Sequence, residues 1–565
     1  MLNLSSEKSL ARFISFGAAF TTVFVLWGSV TDPVNSPKLF ILGASAFAAG
    51  AIAFAVGFKE IWRSSRLWLL GSIVFIAFSI SAIINSSSPL QQNIYGTYGR
   101  NTGFVTYFAL LLIATAATLL RQKSSFNLLI YSLFAAGLAN IAYCLWAIAF
   151  GDFIGWNNPY GNILGTFGNP NFIGAFLGIF ITALTAYVVQ PGISWKIRVL
   201  ALAIVAIGLY QIDRTNAVQG LVVSAAGFSM IGFYFIRSCF KSNLILGGYT
   251  VVVAILGFIS LMGALQKGPF TSFIYKTSVS LRGEYWQAGW NMASQSPLTG
   301  IGMDSYGDWY RRARDDQALI LPGPETVTNA AHNIPFDILA YGGWPLFISY
   351  IFLIVLTVIA ILKVTLRSRS YNGTFIALTV AWICYQIQAV ISISQIGLAV
   401  WGWVLSGAVI AYEIATRESD TAEKRPNAVR SAKTKEQIFS ATAIGGLGLV
   451  LGALIAVPPL SADMKWKTAV AKGDLALVKA ALEPSYLTPT DMNRLLTMVT
   501  IAENSKLPDV AYEYAKKAVE FNPESFDAWR IFYSVTNSTP QDKELALANM
   551  KRLDPKNTNV LNTPK

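Results

Sequence analysis

Leu281-Arg282-Gly283-Glu284-Tyr285-Trp286 opens a polar interval that closes with Ala331-His332-Asn333-Ile334-Pro335-Phe336 and then Tyr341-Gly342-Gly343-Trp344. It is the only long polar interval between hydrophobic segments, and it holds His332, the only histidine in 565 residues. The apolar runs on either side reach the roughly 20 residues needed to cross a hydrocarbon core about 30 Å thick. The interval is therefore a loop at a membrane face.

The rest of the chain agrees. Hydrophobic residues make up 54% and charged residues 13%, and the mean hydropathy is +0.49. A soluble domain carries about a quarter charged residues. Repeated long apolar runs leave one fold class, an all-α polytopic helical membrane protein, because a spanning segment must satisfy its own backbone hydrogen bonds. The net charge of +13 does not point to nucleic acid, since most Lys and Arg sit in short loops between spans. The three cysteines are too few and too scattered for a disulfide framework or a metal site. The N-terminal apolar run is too long for a signal peptide and lacks a small-residue cleavage site.

Spans are predicted near 13–31, 38–57, 67–86, 103–120, 127–149, 172–190, 199–212, 217–236, 244–265, 340–362, 374–393, 396–415 and 438–457, about 12–13 in all. The connecting loops alternate in charge. Lys59/Arg63/Arg66, Arg121/Lys123, Lys196/Arg198, Arg237/Lys241, Lys363/Arg367/Arg369 and the Arg417–Lys435 segment share a side with the N-terminus, whereas the opposite short loops carry only Lys38, Arg100 and Arg214. The positive-inside rule makes the basic side and the N-terminus cytoplasmic, and the 266–335 loop and the C-terminal tail extracytoplasmic.

The outer loops carry polar, turn-prone residues. Gln91 to Gly103 is amide- and glycine-rich and holds Arg100, and Gly165-Thr-Phe-Gly-Asn-Pro-Asn171 leads into a span. Asn169 and Asn171 could bond sugar hydroxyls; the plainer reading of the run is a tight hairpin. Asp213-Arg214-Thr215-Asn216-Ala217-Val218-Gln219-Gly220 places a charge at the hydrocarbon boundary, where it must pair or meet water. Arg214 is thus either the partner of Asp213 or a phosphate ligand, with Gln219 beside it. Within the large loop, Tyr285, Trp286, Gly289, Trp290 and Ala293 form one face of a helix over 282–294. A second helix is expected over Tyr306 to Asp316.

After about Ser461 charges become regular. The run from Ala511 ends in Asn522-Pro523, and Leu545 to Pro555 repeats that ending about one tetratricopeptide period of roughly 34 residues later. The tail, 461–565, resembles a short helical-repeat domain, a solvated cap or a docking surface for a protein partner.

Chemistry on a membrane-anchored substrate needs a cation for a diphosphate leaving group and a base for an acceptor hydroxyl. Arginine suits the first through its planar, permanently charged fork; Arg100, Arg214 and Arg282 lie nearest the outer span ends. His332, with Asn333 beside it, suits the second, because an unperturbed imidazole titrates near 6.5. Asp304, Asp308, Asp315, Asp316 and Glu325 crowd the loop without the spacing of a cation-binding loop; solvated surface is the plainer reading.

The run at 165–171, Arg282 followed by Trp286, Pro297 with Gly300-Ile301-Gly302, and Ala331-His332-Asn333 with Gly342-Gly343 together resemble the bacterial O-antigen ligase and polymerase family. The resemblance covers roughly residues 10 to 415. It implies an O-antigen ligase-like transmembrane domain at 1–415, followed by a basic linker at 416–437, one more span at 438–457 and the helical tail. It implies a metal-independent, cofactor-free, inverting glycosyltransferase of the cytoplasmic membrane. Such an enzyme moves a glycan from an undecaprenyl-diphosphate carrier to a glycan, protein or wall-polymer acceptor, with Arg282 and His332 in the essential positions. Family members often carry a Ser-Arg pair near 217–236. Here Arg214 is a displaced match, with Arg100 as its substitute. A polymerase using the same donor is the nearest alternative. A lipid-carrier flippase would place charges at mid-membrane, where this chain has almost none, and an envelope scaffold would not need the Arg/His set.

Overall fold

The computed structural model describes residues 3–156, 158, 161–264, 267–269, 281–423 and 440–562. The regular elements described are helices, apart from one bridge between Ser485 and Thr488. In chain order they are α1 (Leu4–Val23), α2 (Asn35–Ser64), α3 (Arg66–Ile84), α4 (Leu90–Tyr95), α5 (Phe104–Ala117), α6 (Lys123–Phe150), α7 (Pro170–Val188), α8 (Trp195–Arg214), α9 (Val218–Cys239) and α10 (Asn243–Ala264). The polar loop holds α11 (Arg282–Gln295), α12 (Tyr306–Ala313) and α13 (Asp316–Ile320). Then come α14 (Ile334–Arg367), α15 (Gly373–Ile391), α16 (Ile396–Glu423) and α17 (Ala441–Lys472). The tail holds α18 (Leu475–Leu482), α19 (Met492–Asn504), α20 (Pro508–Phe521), α21 (Phe526–Ser534), α22 (Pro540–Leu553) and α23 (Thr558–Leu561).

Eleven described helices are long and apolar enough to cross a membrane: α2, α3, α6 to α10 and α14 to α17. The chain is a polytopic helical membrane protein. The two other expected spans fall on α1, which carries Glu7, Lys8 and Arg12, and on α5, which has only 14 residues. The first span is misplaced by the sequence reading: the helix ends at Val23, not near residue 31. Lys38, buried in α2, terminates it by donating to the carbonyls of Thr21 (3.1 Å) and Thr22. Beyond it, Asp32 accepts from the backbone N–H of Val34 and Asn35 and starts α2. The expected basic linker at 416–437 lies outside the described residues from 424 onward, as do 270–280 of the large loop.

Two polar layers mark opposite ends of the bundle. At one, Glu7 accepts from the N–H of Arg121 and Gln122 and from Ser125, while Arg121 bonds Ser64 and faces Glu60 and Glu418. At the other, Asp463 of α17 accepts from the N–H of Thr31 and Asp32 and from Tyr98. α17 continues without a break through Pro458-Pro459 into the tail. The tail and the polar loop are on one side: Arg314 and Arg311 both bond Asp554, and Asn522 bonds Asp308.

Candidate functional site

The expected helix over 282–294 forms as α11, and its inner face of Tyr285, Ala288, Gly289, Met292 and Ala293 is buried. It packs on α14 through Trp286, stacked on Phe336 at 6.0 Å, and Trp290, edge-on to Trp344 at 5.7 Å. α14 is broken inside at Gly342-Gly343. A helix kinked there frees backbone groups that need partners. The Pro297–Gly302 turn supplies them: Ile301 N–H donates to the Ala340 carbonyl (3.0 Å), Gly302 N–H to Tyr341 (3.0 Å), and Trp344 N–H to Pro297 (2.9 Å). The approach is close enough that a Cβ on Gly300 would lie 2.3 Å from the Tyr341 carbonyl oxygen, and one on Gly343 equally close to that of Pro297. The two glycine pairs noted in the sequence are therefore the two halves of one joint.

This joint sets the position of His332. Asn333 caps α14, its Oδ1 accepting from Phe336 N–H, and Ala331 N–H donates to Asp337 Oδ1 (2.7 Å). Between these anchors His332 takes a left-handed conformation, φ +54°, uncommon for a residue other than glycine. Its ring lies 5.7 Å from that of Tyr285. It is half-buried and makes no hydrogen bond among the described residues. Burial, and then the charges of Arg282 and Arg100, push its pKa down to about 4. The imidazole is neutral at physiological pH.

The two arginines that act on it differ. Arg282 opens α11, half-buried, and makes no ion pair among the described residues; burial pulls its pKa below the ordinary arginine value. Arg100 is buried and held. Its Nη1 donates to the carbonyl and to Oδ1 of Asn329 (2.6 and 2.9 Å), and its Nε lies 3.9 Å from Asp304. Burial opposes its charge, but Asp304, Tyr341 and Asp337 hold its pKa above the ordinary arginine value. Arg100, expected as a diphosphate ligand, is thus a wall of the site.

The remaining expected residues are dispersed. Arg214 ends α8, exposed and without an ion pair among the described residues, so the local pair with Asp213 does not form. Asn169 caps α7, its Oδ1 accepting from Asn171 N–H (2.9 Å). Gln219 is buried in α9 with both side-chain polar atoms unpartnered. Trp286 Nε1 is also buried and unpartnered.

One site residue, Asp337, went unread in the sequence, and another, Asp304, was read there as solvated surface but is buried. Asp304 accepts from Thr97 N–H (2.9 Å), Thr102 Oγ1 (3.1 Å) and Tyr341 OH (3.2 Å), tying the 97–102 loop to α14. Asp337 holds Ala331 from one side, with its second oxygen buried and unpartnered. A carboxylate in an otherwise apolar run is a signal in itself, and Asp337 carried it. Asp304 had none to distinguish it from the other acids of the loop.

One end of the bundle thus holds, beneath the packed polar loop, a neutral histidine and an arginine with no ion pair among the described residues. Residues 172–351 match the family model described as O-antigen ligase. The match begins in α7 and ends in α14, enclosing the polar loop. No match is found among curated proteins. The matched domain supports an O-antigen ligase/polymerase-type glycosyltransferase activity on a lipid-linked glycan.

Proposed function

We propose that the chain transfers a glycan from an undecaprenyl-diphosphate carrier to an acceptor hydroxyl on the extracytoplasmic face. His332 serves as the base and Arg282 as the diphosphate ligand. The observation that carries this reading is the pairing of a neutral His332 with Arg282, neither of which has a hydrogen-bond or ion-pair partner among the described residues. The acceptor hydroxyl gives its proton to His332, and its oxygen forms a bond to the anomeric carbon. The bond from that carbon to the diphosphate oxygen breaks with its electron pair, and Arg282 stabilises the charge that collects there.

Arg100 acts through the field: with Arg282 it keeps His332 deprotonated until substrate arrives. A bound diphosphate offsets the arginines, so the histidine becomes a stronger base when the donor is in place. A base poised nearer the operating pH is the more effective one. No step calls for a metal. A ligase-type acceptor, distinct from the donor, is favoured by the tail fixed against the loop through Asp554 and Asn522; a polymerase is the second reading.

The test is transfer from a defined undecaprenyl-diphosphate oligosaccharide by reconstituted protein with candidate acceptors. His332→Ala is expected to lose about 10²–10⁴-fold with donor binding kept, and Arg282→Ala to lose donor affinity as well. Full transfer by His332→Ala removes it as the base.

A further inference from the structure

A well-formed cavity lies away from His332. It holds ≈ 430 Å³ and lies between the outer loops of the membrane domain and the first helices of the tail. That volume is in the range of small-ligand sites, about 300–1,000 Å³. Its walls come from α4 and the following loop, from α12, from 327–329, and from 489–496 and 521–527 of the tail.

The charges in its lining are already spent inside the protein. Asp308 accepts from Ser88, Gln92 and Asn522. Arg311 is paired with Asp554, Arg494 with Asp491, and Asp527, at the exposed edge, with Arg530. What remains for a ligand is uncharged. The side-chain amides of Gln91 and Asn493 have no partner among the described residues, and Asn329 uses only its oxygen, on Arg100. Asn101, 4% exposed, has a buried Oδ1 without a partner, and the half-buried ring of Tyr95 stands beside it. A buried acceptor left unbonded costs about 1–3 kcal/mol, so Asn101 is incomplete until a donor enters. Convergent amides with an aromatic face, beside arginines that are all paired with carboxylates, suit a neutral, hydroxyl-rich ligand and not a phosphate.

We infer that this cavity is a saccharide-binding site, separate from the diphosphate site, that holds a neutral stretch of glycan. It rests on the proposed transferase reading only for the identity of its substrate. The link between the two sites is short: Asn329 lines the cavity and receives Arg100, whose charge acts on His332. A glycan seated here lies one residue layer from the reacting end.

The experiment uses full-length protein in lipid nanodiscs. The probes are neutral tetrasaccharides built from glucose, galactose, mannose and N-acetylglucosamine, a uronic-acid tetrasaccharide, and inorganic diphosphate. Asn493→Trp fills the cavity from an exposed helix position, and Tyr95→Ala removes the aromatic face; melting temperatures check that both fold. At least one neutral tetrasaccharide is expected to bind wild type and Arg282→Ala alike, and about tenfold more weakly in each cavity variant. Diphosphate binding is expected to show the opposite pattern, lost in Arg282→Ala and kept in Asn493→Trp. No neutral tetrasaccharide bound, preference for the uronic acid, or binding unchanged in Asn493→Trp each overturns the site. Diphosphate binding unchanged in Arg282→Ala overturns the assignment of Arg282 as the diphosphate ligand and leaves the cavity standing.

Discussion

The ring of Tyr285 lies 5.7 Å from the imidazole of His332 and is tilted 33° to it. Tyr285 is three residues after Arg282, so one turn of α11 sets the spacing of the arginine and the histidine. Since His332 is the chain's only histidine, its titration can be followed by NMR without assignment. The signal is expected to titrate near the value of about 4 that burial, Arg282 and Arg100 impose. Arg282→Ala is expected to raise it, because a positive neighbour disfavours the protonated form. The acid limb of kcat/KM, which reports the free enzyme, then lies near pH 4, and that of kcat lies higher, in the donor complex. A histidine that titrates at 6.5 and ignores Arg282→Ala would dissolve the pair.

Gly343 meets the Pro297 carbonyl at φ +63°. Gly343→Ala adds left-handed strain of order 1–3 kcal/mol and a Cβ 2.3 Å from that oxygen. It is expected to lower the melting temperature and to lose transfer, because the joint that aims His332 must open. Gly289→Ala, whose added methyl meets nothing nearer than 3.4 Å, is the control expected to leave both unchanged. Differential scanning of the two variants settles whether the joint or helix packing in general is at stake.

Asp554 holds the tail to the loop. Its carboxylate receives Arg314 at 2.8 Å and Arg311 at 2.9 Å, with Arg314 and Asp554 fully buried. Removing one partner of a buried pair costs about 3–5 kcal/mol because a charge is left stranded. Asp554→Ala is expected to raise hydrogen exchange across α12 and α20 to α22 while the spans stay protected. If exchange rises in the spans as well, the tail is part of one cooperative unit with the bundle.

The spans were legible because apolar runs of bilayer length and alternating loop charge act through the solvent and need no tertiary detail. The error at the first span has a local cause: Lys38, counted in the sequence as an outer loop charge, reaches back to cap α1, and no one-dimensional pattern shows that contact. His332 and Arg282 stood out by rarity and place. Arg100 looked equivalent to Arg282, and only the fold shows that Asn329 and Asp304 already hold it. Likewise Asn169 read as a sugar ligand, but it spends its oxygen on the cap of α7, a common use of Asn at such a position. The cavity under the tail was invisible, since it is built from segments some 400 positions apart.

Asp304 separates a structural acid from a metal ligand. Its two oxygens accept from Thr97, Thr102 and Tyr341 and face Arg100, and the neighbouring Asp308 takes Ser88, Gln92 and Asn522 on one oxygen, Oδ2. A carboxylate whose lone pairs are committed to protein donors is poorly placed to ligate a hard cation. Asp304→Ala is expected to lower the melting temperature and to weaken transfer, by stranding Arg100 and freeing the 97–102 loop. Asp304→Asn, which keeps the acceptor oxygen, is expected to lie between the variant and wild type. Incubating wild type with EDTA is expected to change neither the melting temperature nor the rate of transfer. Chelation that reproduces the Asp304→Ala phenotype, with recovery on adding back a divalent cation, would make Asp304 a metal ligand and the reaction metal-assisted.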